Sequence, residues 1–189
     1  MKHTLAFFAL LLCVAFSSSQ AQMANSSAPA AQAGPTKDPV ATSLRMLLPR
    51  SRTNILGAIT AMPADKFSYK PTPDQITFAH LVVHIVGSNY SNCSKAADVP
   101  APKLEELKET DSKDKMLAAA TASYDFCAEA LGKMEDSKLG DSVEGYGGHQ
   151  FPRAMMALGL ASGWADHYAA AAQYLRLNGI LPPSAQPKK

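Results

Sequence analysis

Residues 163–184 read GWADHYAAAAQYLRLNGILPPS and are the most informative part of the sequence for the fold. With the residues just before it, it repeats apolar positions every three or four residues, which predicts an amphipathic helix with one buried stripe. The stripe consists of Leu160, Trp164, His167, Ala171 and Tyr174. His167 is thus predicted on an apolar face, where a buried imidazole needs a partner. Gly179 and Pro182-Pro183 end the helix, because glycine suits the C-terminal cap and proline cannot continue a helix.

Three further segments show the same helical spacing of apolar residues. The predicted helices cover residues 38–61, 73–97, 112–134 and 151–178. Pro49 falls inside the first of them and should kink or split it. Residues 141–150 are glycine-rich and are predicted to form a loop, and no strand pattern competes with the helices. Four amphipathic helices joined by loops predict an all-α fold, an antiparallel four-helix bundle.

The segments outside the helices predict how the chain is processed. Residues 1–21 combine Lys2, an apolar run from Leu5 to Phe16 and a small-residue cleavage site at Ala21, which together predict a signal peptide. Residues 22–37 are predicted to be a disordered leader, residues 38–185 the bundle and residues 186–189 a polar tail. The protein is therefore expected to be exported, to the periplasm or the extracellular space.

The charge and hydropathy patterns exclude two kinds of partner. The formal net charge is +2 with both signs interspersed, so no basic stripe indicates nucleic-acid binding. No second long apolar segment follows the signal peptide, so no membrane attachment is expected after cleavage. The exposed helix faces of a bundle of this size allow a homodimer, and a small-molecule partner is not identified by the sequence.

Two cysteines, Cys93 and Cys127, remain after the predicted cleavage. An exported chain meets an oxidising compartment, which favours a disulfide between them. The alternative is a pair of buried thiols that pack as small apolar side chains. The spacing in sequence does not decide between the two, because it does not fix the distance between their Cα atoms.

Three histidines are candidate metal ligands. His80 and His84 lie four residues apart on one predicted helix, and His167 lies on another, so the three imidazoles can supply three nitrogens to one ion. Neutral imidazoles suit zinc, nickel or a similar divalent metal. The alternative is that His167 is a hydrogen-bonded core residue and that His80 faces water at the rim of the bundle. His149, in the glycine-rich loop, is interpreted as a surface histidine.

Motifs of other common chemistries are absent from the sequence. It contains no Gly-x-Ser-x-Gly elbow, no Cys-x-x-Cys pair, no His-Glu-x-x-His motif and no phosphate-binding glycine loop. No serine or cysteine is evidently paired with a base, so a covalent nucleophile has no candidate.

Several short motifs carry a resemblance to a known family. They are Met62-Pro63-Ala64-Asp65-Lys66-Phe67, Lys70-Pro71-Thr72-Pro73, Phe78, His84-Ile85, Arg153 and the closing run from His167-Tyr168 to Pro182-Pro183-Ser184. With Cys93 and Cys127 placed as in exported members, the pattern resembles the DinB/YfiT-like superfamily over residues 38–185. The resemblance implies a four-helix bundle with a divalent-metal site and an ancestry among metal-dependent hydrolases or thiol transferases.

The resemblance also implies where the metal ligands stand. One family histidine matches His84, the last matches His167, and the third ligand position falls on Gly163, which has no side chain to coordinate. His80 or a water can compensate for the missing ligand, or Trp164 can fill the space. Two functions follow as alternatives: a protein with an incomplete divalent-metal site, or a non-catalytic binding or structural protein of the cell envelope that has lost the metal.

Overall fold

The computed structural model describes residues 34–187, which form a bundle of four α-helices. Their bounds are Pro39–Ala61 (α1), Phe78–Ala97 (α2), Lys113–Gly132 (α3) and Arg153–Leu177 (α4). The predicted all-α bundle is confirmed. Residues 1–33 and 188–189 lie outside the described residues, and with them the predicted signal peptide, most of the predicted leader and the end of the tail.

The helix directions follow from the contacts between them. Both α1 and α2 pack chiefly on α3 and α4. The disulfide between Cys93 and Cys127 joins the C-terminal parts of α2 and α3, so these two helices run parallel. The pairs α1–α3 and α2–α4 are antiparallel, since the start of one helix contacts the end of the other in each pair. A parallel pair requires a long return, and the connector 98–112 supplies it, because 15 extended residues can span roughly 50 Å.

The predicted helix ends agree with the structure in part. Gly179 has φ 73° and follows α4, where the Ile180 amide donates to the Leu175 carbonyl at 3.0 Å, so the predicted stop is confirmed. The predicted start of α2 near residue 73 is wrong. The helix begins at Phe78 because the Thr77 hydroxyl caps it by accepting a hydrogen bond from the His80 amide. Pro49 does not split α1, which is continuous from Pro39 to Ala61.

Both ends of α1 are capped by side chains from distant parts of the chain. The Asp136 carboxylate accepts hydrogen bonds from the amides of Val40 at 2.7 Å and Ala41 at 2.9 Å. At the other end, the Lys113 ammonium donates to the carbonyls of Thr60 and Met62 at 2.7 and 2.8 Å. The charges match the helix dipole, since a carboxylate lies at the N-terminus and an ammonium at the C-terminus.

The disulfide is the covalent link inside the bundle. Cys93 and Cys127 have Cα atoms 5.3 Å apart, within the range for a disulfide, and both side chains are fully buried. This confirms the predicted pairing over the alternative of two free thiols.

The glycine-rich segment before α4 differs from its prediction as a loop. It contains a small antiparallel hairpin, Ser142–Glu144 (β1) and Gln150–Pro152 (β2), in which Val143 lies opposite Phe151. Gly147 and Gly148 both adopt positive φ at its tip, which side-chain-bearing residues rarely do. The strands are too short for a period-2 pattern to be visible in the sequence. No helix in residues 34–187 is long and apolar enough to cross a membrane.

Candidate functional site

His84 and His167 meet between α2 and α4, as the sequence analysis anticipated for this pair. Their ring centroids are 4.9 Å apart, and the ring planes are nearly perpendicular at 88°. Two imidazoles that ligate one zinc ion at nitrogen distances of about 2.1 Å have centroids roughly 5 Å apart. The spacing of this pair is therefore compatible with two nitrogen ligands of a single ion.

The two rings have different environments. His167 is half-buried, and its Nδ1 is a buried atom without a hydrogen-bond partner. Burial lowers the pKa of His167, the nearby His84 lowers this pKa further, and the Asp166 carboxylate opposes both effects. A lowered pKa keeps the ring neutral near pH 7, which is the form that binds metals. His84 is exposed, and its Nε2 lies 3.4 Å from the Ser88 hydroxyl.

His80 is engaged elsewhere. Its Nδ1 lies 2.7 Å from the Glu109 carboxylate, which also accepts a hydrogen bond from the Thr77 hydroxyl at 2.6 Å. These hydrogen bonds, from Thr77 first and then His80, lower the pKa of Glu109. The trio fastens the connector 98–112 to the start of α2. The structure does not bring His80 together with the other two histidines, and residues 34–187 contain no group of three or more histidine, cysteine or acidic side chains placed to hold a metal.

Gly163 lies directly beside the histidine pair. A Cβ atom at this position would be 3.6 Å from Cε1 and 4.0 Å from Nδ1 of His167, which is ordinary van der Waals contact. Position 163 therefore faces the imidazole, but glycine offers no donor. Catalytic zinc sites generally have three protein ligands and one open position. His84 and His167 supply two, so the donors present do not fit a complete catalytic centre.

His149 lies apart from this pair, on the exposed hairpin. Its ring is 6.4 Å from that of Phe151, measured between centroids, and it is exposed as predicted for a surface histidine.

A buried polar network includes Trp164, one helical turn before His167, and was not predicted from the sequence. Asn89, which is 1% exposed, accepts a hydrogen bond from the Trp164 indole at 3.0 Å and donates one to the Ser123 hydroxyl at 3.0 Å. The Ser51 and Tyr124 hydroxyls are 2.8 Å apart in the same core. The signal in the sequence was a polar residue on the buried stripe of α2, since Asn89 follows Ile85 and precedes Cys93 at four-residue steps.

Trp164 links this network to a cavity between α4 and α1. Its indole is 5% exposed and is held by Asn89, and the ring also borders a cavity on the side of α4 that faces α1.

Comparison with known proteins supports the fold. No protein-family model matches this chain, and no curated protein matches its sequence. Crystal structures of two DinB-like proteins are among those similar to this chain. A DinB-like protein from Bacillus subtilis, YjoA, matches with a TM-score of 0.60 at 15% identity, over 77% of this chain and 99% of that chain. A DinB-like protein from Bacillus cereus matches with a TM-score of 0.61 at 14% identity, over 75% of this chain and 95% of that chain. The chain therefore has the fold of the DinB-like proteins.

Proposed function

We propose that this protein is an exported DinB-like bundle with an incomplete divalent-metal site that consists of His84 and His167. The observation that supports it is the pair itself: two imidazoles from different helices, 4.9 Å apart between centroids, one with a buried and unpartnered nitrogen. Zinc or nickel is the expected metal, because neutral imidazole suits both. With two protein ligands, the expected affinity is weak, and the other coordination positions are left to water or to a donor from outside the chain.

Export is supported by two independent features. The sequence of residues 1–21 has the charged start, apolar run and cleavage site of a signal peptide. The buried disulfide between Cys93 and Cys127 is typical of proteins that fold in an oxidising compartment. Periplasm and extracellular space both satisfy this proposal.

The alternative function is a binding or structural bundle of the cell envelope that has lost the metal. The unpartnered Nδ1 of His167 argues against it, because a ring with no remaining role would be expected to satisfy its buried nitrogen. Hydrolase or thiol-transferase ancestry is part of the first proposal only.

Calorimetric titration of the purified apo-protein with Zn²⁺ and with Ni²⁺ tests the proposal. We expect one ion per chain, with an affinity that falls by more than about tenfold, or about 1.4 kcal/mol, in His84→Ala and in His167→Ala. His80→Ala is the matched control, because this histidine is bound to Glu109 and should not affect the titration. A wild-type protein that binds neither metal would contradict the proposal and favour the alternative function.

A variant designed to gain affinity tests more sharply whether His84 and His167 face the same metal position. Gly163→His places a third imidazole one turn before His167, in space that the structure leaves open to a Cβ. We expect its zinc affinity to rise by about 100-fold or more, because the site then has the three protein ligands of a typical zinc centre. Gly163→Ala, which adds the Cβ without a donor, should bind like the wild type. An unchanged affinity in Gly163→His would mean that the two rings do not converge on one ion.

A further inference from the structure

A cavity of about 290 Å³ lies between α1 and α4, beside Trp164. Trp164 and Tyr168 line it from α4, and Arg50, Ser51 and Asn54 line it from α1. Neither His84 nor His167 is among its lining residues, so the cavity is separate from the candidate metal site.

Hydrogen bonds within the protein already fix several of the side chains that line the cavity. The Trp164 indole is bound to Asn89, and the Ser51 hydroxyl lies 2.8 Å from that of Tyr124. The Tyr168 hydroxyl donates to the Ser184 hydroxyl at 2.7 Å and accepts from the Ser184 amide at 2.8 Å. These polar groups are therefore engaged, and what Trp164 and Tyr168 offer to the cavity is chiefly aromatic surface held in a fixed position.

Arg50 and Asn54 differ from these fixed side chains. They are four residues apart and so share one face of α1. Among residues 34–187, neither side chain has a hydrogen-bond partner and Arg50 has no ion-pair partner, whereas the neighbouring Arg52 is paired with Asp125 at 2.9 Å. The part of the chain that the structure describes contributes no aspartate or glutamate to the cavity lining. A guanidinium and an amide are thus left with unused donors beside an aromatic surface.

We propose that this cavity binds a small aromatic carboxylate. A guanidinium with free donors binds a carboxylate through two parallel hydrogen bonds, and the Asn54 amide can donate a further one. The aromatic part of the ligand packs on Trp164 and Tyr168. The size agrees, because a dry cavity of about 150 Å³ already holds benzene. A volume of about 290 Å³ therefore admits one ring with a short acidic chain.

Fluorescence of Trp164 tests the proposal directly, because it is the single tryptophan of the chain. The probe is 3-phenylpropionate, which absorbs too far into the ultraviolet to interfere. We expect a saturable change in the emission of Trp164, with a dissociation constant between micromolar and millimolar, as befits so small a ligand. The uncharged 3-phenylpropanamide and the cationic 3-phenylpropylamine have nearly the same shape and should bind at least about tenfold more weakly.

Variants assign the binding to Arg50. Arg50→Gln should weaken 3-phenylpropionate binding by about tenfold or more. Arg176→Gln removes an exposed arginine at the end of α4 and should leave binding unchanged. Because Arg50 is exposed, the variant is expected to fold, which circular dichroism checks. No saturable change with 3-phenylpropionate, equal binding of the amide, or equal binding by Arg50→Gln would each overturn the proposal.

Different variants test the metal site and the carboxylate site independently. His84→Ala should weaken metal binding by more than about tenfold without changing the fluorescence titration, and Arg50→Gln should weaken carboxylate binding without changing the metal titration. A carboxylate affinity that depends on His84 would overturn the claim that the cavity is a separate site.

Discussion

The two faces of α4 use polar side chains in opposite ways. Toward α2, His167 leaves Nδ1 buried and unpartnered, beside a glycine where a further ligand would fit. Toward α1 and the core, the hydroxyl of Tyr168 and the indole of Trp164 are both satisfied by hydrogen bonds within the protein. The polar groups without a protein partner there belong to α1, at Arg50 and Asn54.

Polar groups without a protein partner mark the places in this bundle where a ligand can bind. Buried polar groups are nearly always hydrogen-bonded, so the buried and unpartnered Nδ1 of His167 needs an explanation, and a bound ion is one. On the face toward α2 the unsatisfied atom is an imidazole nitrogen, which favours a metal. On the face toward α1, Arg50 is exposed and Asn54 half-buried, so burial says nothing about them; what favours an anion there is the chemistry of a guanidinium and an amide without protein partners.

The largest expected effect concerns the scaffold that both faces share. Replacing Cys93 and Cys127 with serine should lower the free energy of unfolding by about 4 kcal/mol, because the disulfide closes a loop with a sequence separation of 34 residues. Urea denaturation of the variant and of the wild type measures the loss, and wild-type protein under reducing conditions is the control. Since the disulfide joins α2 to α3, both ligand affinities should fall together. A change in only one of them would show that one face depends on the bridge more than the other.

The second prediction breaks the network behind the face toward α1. Asn89→Leu leaves the Trp164 indole and the Ser123 hydroxyl without their shared partner, and the free energy of unfolding should fall by about 3 kcal/mol. Asn92→Leu is the matched control on the same helix. It removes one hydrogen bond from the half-exposed Tyr146 and should cost about 1 kcal/mol. Urea denaturation followed by Trp164 fluorescence measures the free energy of unfolding of both variants. Equal losses would mean that the Asn89 network stabilises the protein no more than the single hydrogen bond of Asn92 does.

The third prediction concerns α1, which forms one wall of the cavity and no part of the histidine pair. Asp136→Ala removes the carboxylate that accepts from the amides of Val40 and Ala41, so the free energy of unfolding should fall by about 2 kcal/mol. Asp141→Ala, at an exposed position nearby, should change it by less than about 0.5 kcal/mol. Thermal and urea denaturation measure the difference, which a shared loss in both variants would contradict.

The smallest expected effect is confined to the histidine face. Burial lowers the pKa of His167 in the folded state below its ordinary value of 6.5. At pH values between the lowered pKa of the folded state and 6.5, the unfolded chain binds more protons at this histidine than the folded protein does. The free energy of unfolding should therefore decrease as the pH falls below 6.5 and level off below the pKa of the folded state. Metal-free protein unfolded in urea at a series of pH values measures this. His167→Gln should flatten the decrease, whereas His149→Gln, on the exposed hairpin, should retain it; an unchanged slope in His167→Gln would contradict the assignment.

The sequence predicted the four helices, but it predicted where they begin and end less well. Apolar residues at helical spacing identified all four helices of the described chain, and Gly179 identified the end of α4. Of the two outcomes predicted for Pro49, a kink or a split, the split did not occur, because tertiary packing can offset the hydrogen bonding that a proline costs inside a helix. The hairpin was missed because three-residue strands carry no periodic signal.

The sequence identified candidate histidines for the site, but it did not show which of them come together in space. His84 and His167 were identified and do meet, but His80 is one turn from His84 and still lies with Glu109 instead. Helical spacing places two side chains on one face and says nothing about a carboxylate that a later connector brings to one of them. Arg50 and Asn54 gave no signal, because an unpaired exposed arginine looks like any other in a sequence.

Periodicity and local backbone preference were enough to predict four amphipathic helices, the end of α4, an oxidisable cysteine pair and a histidine on the apolar stripe of α4. Three features became visible only in the folded bundle: the parallel course of α2 and α3, the capping of α1 by Asp136 and Lys113 from far away in sequence, and the identity of the polar groups without a partner. Those features depend on contacts between residues tens of positions apart, and such contacts are fixed by the packing of the whole bundle rather than by any local pattern.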